Sequence, residues 1–545
     1  MSSAPIAPSP PSVIKDRRLG FLIWQSISTA SVYLFSSILV LSLPLLRRRH
    51  FSLSDFLLSF LALQAFLLLL SSSFLLLLSP SPVPGASFPE LSTTLLKSAF
   101  KCAIGGFSGP DFTGDSVSRA WRSLKSIFFL VVCVVAGIFS VVAACWDSDQ
   151  GAYALGLRGA VFGLVYGAHY LFRKRWILKF PIIQRPLFYS FKKGFYSSFP
   201  RALKMSIRGF VYSFMLLLFL PDKYQIKGTI GRQLISQIRV LLGIFTVSFC
   251  WEISHHLLQV VHTRRCIFAL PQGSAAAETN PSETLLEVLE QSPPKSLLQH
   301  LAYLDLCIVS ENNTEPWRRA AFFEESGETY RRVIRACLRP LENFTSKLVE
   351  GLEGRYGDCS DLFLEQMSLP MDSHAYSKLN AAFDDYELCA WSSRSLAALT
   401  VCSRREDRYG VAQLSSCNTA AVSTLLTALL AVEACLGKKT GGPSTSQFLS
   451  PTSMKWATVS TGKKDHRVTA VTVKKQSELH NKAYAMADVL RSSIYQIVSA
   501  FWVDMQASAK SMVLDKNWIS EAKPLFGARP VLVQKLLDFL DYCAV

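Results

Sequence analysis

Glu252, His255 and His256 are the residues of this chain best placed by type and spacing to do chemistry. Positions i, i+3 and i+4 share one face of a helix, so the carboxylate could face a metal ion together with either imidazole. Ionisable groups within an apolar run also carry a functional expectation of their own. The sequence does not supply the rest of a metal site. Membrane di-iron oxidases need several histidine boxes, whereas residues 1–265 hold five histidines, and His169 is the one other that falls within an apolar run. No HxxxH or HExxH pattern occurs. The bland reading, an interhelical hydrogen bond near a helix end, is the stronger one. P-loop, GxGxxG and GxSxG patterns are also missing, so nucleotide binding and α/β-hydrolase chemistry have no support. No residue is assigned to catalysis, to a cofactor or to a metal, and no cofactor or small-molecule substrate is expected.

The element carrying these residues belongs to a strongly apolar half. Of 545 residues, 50% are hydrophobic, and they crowd the first half in runs too long for a globular core. A span needs about 20 apolar residues. Residues 19–46, 56–79 and 126–146 each meet that without a charge. Three weaker segments follow, near 151–172 with Arg158, 202–220 with Lys204 and Arg208, and 240–261 with Glu252. The expectation is an all-α polytopic membrane protein with six transmembrane helices and a soluble α-helical C-terminal domain. A signal peptide is the competing reading of the first segment, but its run is about twice an h-region, and Arg47, Arg48 and Arg49 follow it rather than a cleavage site. Arg158 falls near the predicted luminal end of its helix and is expected to snorkel rather than to bind substrate.

Charge is as unevenly divided. Residues 1–265 hold 28 Lys+Arg against 9 Asp+Glu, and residues 266–545 hold 29 against 31. A basic membrane-like half points to anionic lipid headgroups rather than to nucleic acid. Counted by side, the N-terminus, loops 79–125 and 173–205 and the start of the tail hold 19 Lys and Arg, against 7 opposite. The positive-inside rule then puts both termini in the cytosol, with Arg47–Arg49 as the cluster that opposes the sum. The stretch 173–204 interleaves nine Lys and Arg with Phe180, Phe188, Tyr189, Phe191, Phe195, Tyr196 and Phe199. It reads either as a segment lying on the membrane surface or as ordinary positive flanking of two helices.

The organisation expected is a cytosolic tail at 1–18, the membrane domain at 19–265, a linker at 266–283, and a helical domain at 284–545 with a disordered insertion at 437–465. From Cys266 onward no run is taken as long enough to span. Ile334, Cys337, Leu338, Leu341, Phe344, Leu348 and Leu352 follow helical spacing, with Pro340 as a kink. A second helix is expected near 478–507, and 467–474 is the only plausible strand. The cysteines show no CxxC spacing and read as reduced core residues. The sequons at Asn312 and Asn343 would stay bare in the cytosol. Ser-Pro pairs occur at Ser9, Ser79, Ser81, Ser292 and Ser450, of which Ser450 would be open to a proline-directed kinase.

Two patches carry a resemblance. LLQHLAYLDLCIVSENNTEPWRRAAFF (297–323) followed by YRRVIRACLRPLENFTSKL (330–348) resembles the start of the soluble half of the nuclear-division-cycle transmembrane nucleoporins. In that family a Leu-Asp pair (here Leu304 and Asp305) precedes a basic pair (Arg318 and Arg319) and then an amphipathic helix with Cys-Leu (Cys337 and Leu338). LRSSIYQIVSAFWVDM (490–505) and the aromatic–basic stretch are similar to the family too. The resemblance implies a structural, non-enzymatic constituent of the nuclear pore complex, embedded where the nuclear membranes fuse. It implies a role in anchoring the scaffold and inserting new pores, and partners such as the WD-repeat nucleoporin Aladin and a membrane-binding nucleoporin with an RRM-like fold. The rival class is a multi-pass enzyme or transporter of the endoplasmic reticulum, although the doubled halves of many transporters are not seen.

Overall fold

The computed structural model describes residues 10–42, 53–81, 114–145, 151–181, 184–219, 230–269, 281–313, 315–356, 373–437 and 466–544. Among them every regular element is helical, apart from one isolated bridge between Ser79 and Ile177. The helices fall into two compact units, Ser9–Arg265 and one built on Cys266–Val545.

The first unit has six helices: α1 (Pro10–Ser42), α2 (Leu53–Leu77), α3 (Gly114–Ala144), α4 (Ala152–Phe172), α5 (Leu187–Leu218) and α6 (Ile230–Thr263). Each overlaps most of one of the apolar segments. α6 is the hub and packs against α1, α2, α3 and α5. Its residues Val240, Ile244, Val247, Trp251 and Leu258 are buried. The outer faces of α1 and α2 do the opposite, exposing Ile23, Phe35, Ile38, Leu58 and Leu61. Apolar side chains turned outward in such numbers belong in lipid, where they cost nothing.

Five described helices contain stretches long and apolar enough to cross a membrane: Ser12–Val40, Leu53–Leu77, Trp121–Ala144, Gln233–Thr263 and Cys417–Cys435. The set differs from the six expected spans in two ways. α4 and α5 form, but neither is among the five; α4 carries Arg158 and is diluted by glycine, and the first half of α5 is basic. Conversely, Cys417–Cys435 qualifies by length and composition, against the expectation that nothing beyond Cys266 would. It is two-thirds buried because the helices of the second unit wrap it, and a helix apolar on all sides is what a domain core requires.

Two further expectations change. The aromatic–basic stretch is no loop beyond residue 187: it forms the first half of the 32-residue α5, with Pro200 inside. Phe188, Phe191, Phe195 and Phe199 recur at three- and four-residue intervals, and that period favours a helix. Arg158 does not snorkel. It is 2% exposed, with its guanidinium carbon 5.5 Å from the centre of the Phe210 ring.

The second unit contains α7 (Glu283–Gln291), α8 (Leu297–Glu311), α9 (Pro316–Ala320), α10 (Glu328–Tyr356), α11 (Ser373–Ala382), α12 (Tyr386–Glu406), α13 (Val411–Leu414), α14 (Cys417–Cys435), α15 (His466–Ala500), α16 (Trp502–Lys510), α17 (Leu514–Trp518) and α18 (Arg529–Ala544). α14 packs on α10, α12, α15, α17 and α18. The 467–474 stretch, expected as a strand, lies in α15; Val471 and Val473 alternate as a strand would, but Val468 and Val471 stand at the helical i, i+3 spacing. α10 runs through Pro340, which lacks the N–H that a helix interior uses. The described cysteines are unbridged. Burial pushes the Cys307 thiol up to about 12, and it raises Cys337 and Cys389 too. Ser9, Ser450, most of the linker and all but the first residue of the expected insertion lie outside the described residues.

Candidate functional site

Glu252 is paired, but not with its histidine neighbours. Arg175, in the turn after α4, donates from Nη1 to Oε1 at 2.6 Å and from Nη2 to Oε2 at 2.7 Å. The Glu252 side chain is fully buried and that of Arg175 nearly so. The guanidinium also sits near the rings of Tyr170 and Tyr166, at 5.6 Å and 6.0 Å. Trp251 meets Tyr166 edge-on at 4.8 Å. A bidentate arginine–carboxylate pair against aromatic faces is among the stronger polar contacts available.

A backbone frame holds Arg175 in place. Two helical turns beyond Glu252, Gln259 accepts from the Lys179 amide at 3.0 Å and donates to the Ile177 carbonyl at 3.1 Å. The Leu178 amide donates to the Ser79 carbonyl at 3.0 Å, and the Ser79 amide donates to the Trp176 carbonyl at 3.3 Å. The turn that carries Arg175 is thereby fastened to the ends of α2 and α6.

The two histidines point elsewhere. His255 packs its ring edge-on against Tyr170 at 5.3 Å and Phe74 at 6.2 Å. His256 lies over Gly194 of α5, with Nε2 3.2 Å from the Ser190 carbonyl. A Cβ at Gly194 would fall 1.8 Å from that imidazole, so only glycine permits the approach. Glu252, His255 and His256 therefore serve three contacts and do not converge. Among the described residues no three His, Cys, Asp or Glu side chains stand close enough to hold a metal ion.

A second feature escaped the sequence reading. α3 and α4 meet backbone to backbone along Gly137, Gly159 and Gly163, and Gly167 makes room for the Leu130 and Cys133 side chains. A Cβ on Gly163 would lie 2.2 Å from the Cys133 carbonyl oxygen, and one on Gly159 would lie 2.3 Å from that of Gly137. Small residues four apart are the usual means of close helix approach in lipid, and the spacing Gly159, Gly163, Gly167 was there to be read.

In the second unit the residues that carried the resemblance assemble a polar core. Arg318 is buried against Asp305 at 2.7 Å and against Glu315 at 2.7 Å. Arg319 donates from Nε to Glu406 at 2.9 Å and from Nη2 to Asn313 at 2.8 Å. Cys337 is buried on α10, which also accepts the Tyr303 hydroxyl at the Ala336 carbonyl, at 2.8 Å. These contacts bind α8, α9, α10 and α12 together. They explain why those residue types stand there without requiring any reaction.

Fold and site define an all-helical polytopic membrane protein whose buried charges are spent on holding helices together. The family model described as nucleoporin protein Ndc1-Nup matches residues 44–356 and 363–508, well over half of the sequence. The chain belongs to that family. Among curated proteins it is similar to nucleoporin NDC1 of Pongo abelii, 26% identical over 246 residues, which is 41% of this chain and 36% of that protein. It is also similar to nucleoporin NDC1 of Homo sapiens, 24% identical over 248 residues, with the same shares covered. The matched stretch thus spans little more than a third of the length of these relatives.

Proposed function

We propose that the protein is a structural membrane anchor of the nuclear pore complex, which holds the pore scaffold to the nuclear envelope and supports pore assembly and nucleocytoplasmic transport. The observation that carries the reading is the apolar exterior of the Ser9–Arg265 unit, joined in one chain of this family to a helical unit with a polar exterior. Transfer of the apolar faces into lipid fixes the first unit in the bilayer. The excess of Lys and Arg over Asp and Glu in residues 1–265 adds attraction for anionic headgroups. The second unit offers the surface for other nucleoporins, of which a WD-repeat protein like Aladin and a membrane-binding nucleoporin with an RRM-like fold are the expected ones. On the positive-inside count, the reading has both termini on the cytosolic, pore-facing side.

The role is structural rather than enzymatic. The rival reading, an enzyme or transporter of the endoplasmic reticulum, would draw on Glu252 and its neighbours, and Glu252 is already neutralised by Arg175. Imaging of the tagged full chain tests the proposal. A punctate nuclear rim is expected; a reticular pattern without rim enrichment would overturn it. Orientation is tested separately by glycosylation. Sugar found at Asn312 or Asn343 would place the second unit in the lumen.

A further inference from the structure

α1 and α5 both lie against α6 but leave a gap between them, and that gap is a cleft of about 980 Å³. This is the upper end of the roughly 300–1,000 Å³ expected of small-molecule sites. Its α1 wall runs from Trp24 to Val40, about 24 Å at 1.5 Å per residue. That length reaches beyond the middle of a hydrocarbon core about 30 Å thick.

The walls leave little for a polar ligand to recognise. On α5, Phe188, Phe191, Phe195 and Phe199 form one aromatic row. Phe195 meets Phe249 of α6 edge-on at 5.3 Å, and Phe199 meets Phe245 in the same way at 5.3 Å. Three of the four lining hydroxyls are engaged within the protein: Ser31 donates to the Ile27 carbonyl at 2.9 Å, and Ser36 and Thr246 bond each other at 2.7 Å. The interior thus suits hydrocarbon, and its interlocked rings give it a fixed shape.

One end is cationic. Arg17 of α1 donates to the Val261 carbonyl at 2.7 Å and to the Arg264 carbonyl at 2.7 Å, which sets the start of α1 beside the end of α6. Gln184 donates to the Thr263 carbonyl at 3.3 Å, which brings exposed Arg185 to the same end. Lys192 is exposed one turn on from Phe188, on the α5 face that lines the cleft. Arg264, also exposed, follows the lining residues Val260 and Val261 by one turn. All three walls therefore bring a cation to one mouth.

We propose that this cleft is a binding site for an anionic phospholipid, with its acyl chains between α1 and α5 and its phosphate at Arg185, Lys192 and Arg264. The proposal rests on the reading that the Ser9–Arg265 unit lies in a bilayer, and it sharpens general attraction for anionic headgroups into one site. The site adds hydrocarbon contact that diffuse attraction lacks, and it ties lipid charge to the packing of the α1–α5–α6 group.

The test uses the full chain, purified in mild detergent from membranes, reconstituted with phosphatidylserine or with phosphatidylcholine, and examined by native mass spectrometry. Retention of one phosphatidylserine per chain in preference to phosphatidylcholine is expected. Ser31→Trp would fill the cleft. Lys192→Gln combined with Arg264→Gln would remove charge without touching the walls. The charge variant should weaken phosphatidylserine retention by about tenfold or more, the scale of two lost headgroup contacts, and the filled cleft should abolish selective retention. Equal retention of the two lipids, or retention unchanged in both variants, overturns the site. A protein helix crosslinked into the cleft through Ser31→Cys overturns it as well. Alkaline carbonate extraction separates the two levels. Release of the chain would defeat the bilayer reading itself, whereas a chain that stays in the membrane without selective retention defeats only the site.

Discussion

Arg318 donates to Asp305 at 2.7 Å, and the same carboxylate oxygen accepts the Phe268 backbone N–H at 3.0 Å. Arg318 also donates to the Phe268 carbonyl at 3.2 Å, so one buried pair clamps the first residues of the second unit to α8 and α9. Neither charge is visible to solvent.

Removing one partner of such a pair strands the other. Asp305→Leu should destabilise the second unit by about 3–5 kcal/mol, whereas Asp305→Leu with Arg318→Leu should cost less, because the fully buried charges go together and only the part-exposed Glu315 loses its contact with Arg318. A double-mutant cycle read by pulse proteolysis of the full chain measures the coupling. Equal losses in the single and double variants would refute the clamp.

The same reasoning applies to Glu252 and Arg175 in the first unit. Glu252→Leu should lower the thermal midpoint of the detergent-solubilised chain well below that of the Glu252→Leu, Arg175→Leu double variant. His255→Phe should be mild, since His255 contributes chiefly ring packing against Tyr170 and Phe74.

The glycine seam predicts a sharp contrast. Gly163→Leu drives a side chain into the Cys133 carbonyl and should cost about 3 kcal/mol or more by forcing α3 and α4 apart. Gly156→Ala meets only Ile138 at 3.6 Å and should be neutral or slightly stabilising through helix propensity. Thermal midpoints of the two variants in detergent check the order.

His300 makes stability depend on pH. Burial holds its imidazole below the ordinary value, opposed by the hydrogen bond to the Ser296 carbonyl. The unfolded chain therefore binds the proton more readily, and stability should fall as pH drops through the unfolded value of about 6.5. Proteolysis midpoints at pH 7.5 and 5.5 should differ less in His300→Gln than in the parent chain.

How much of this was legible varies with the range of the interaction. Apolar run lengths located all six helices of the first unit, because burial in lipid depends on local composition. The Leu304–Asp305 and Arg318–Arg319 patches were legible as a resemblance, but not as the buried network they form. Arg175 was hidden as the partner of Glu252 because 77 residues separate them, and only helix packing closes that distance. Phe188 and Lys192 stand at helical spacing, but the density of positive charge around them points to a loop, and only the packing of α5 on α6 decides for the helix.

By itself the sequence determined the helical class, the concentration of apolar runs and positive charge in the first half, and the scarcity of catalytic patterns. These follow from transfer energies and local periodicity, which need no knowledge of neighbours. The tertiary structure alone decided what surrounds each apolar helix. Ser12–Val40 and Cys417–Cys435 are both apolar enough to span, yet 17% of the first and 67% of the second is buried within the protein. Hydropathy measures what a segment avoids, and water is excluded equally by lipid and by other helices. Which of the two covers a segment is set by contacts made far along the chain.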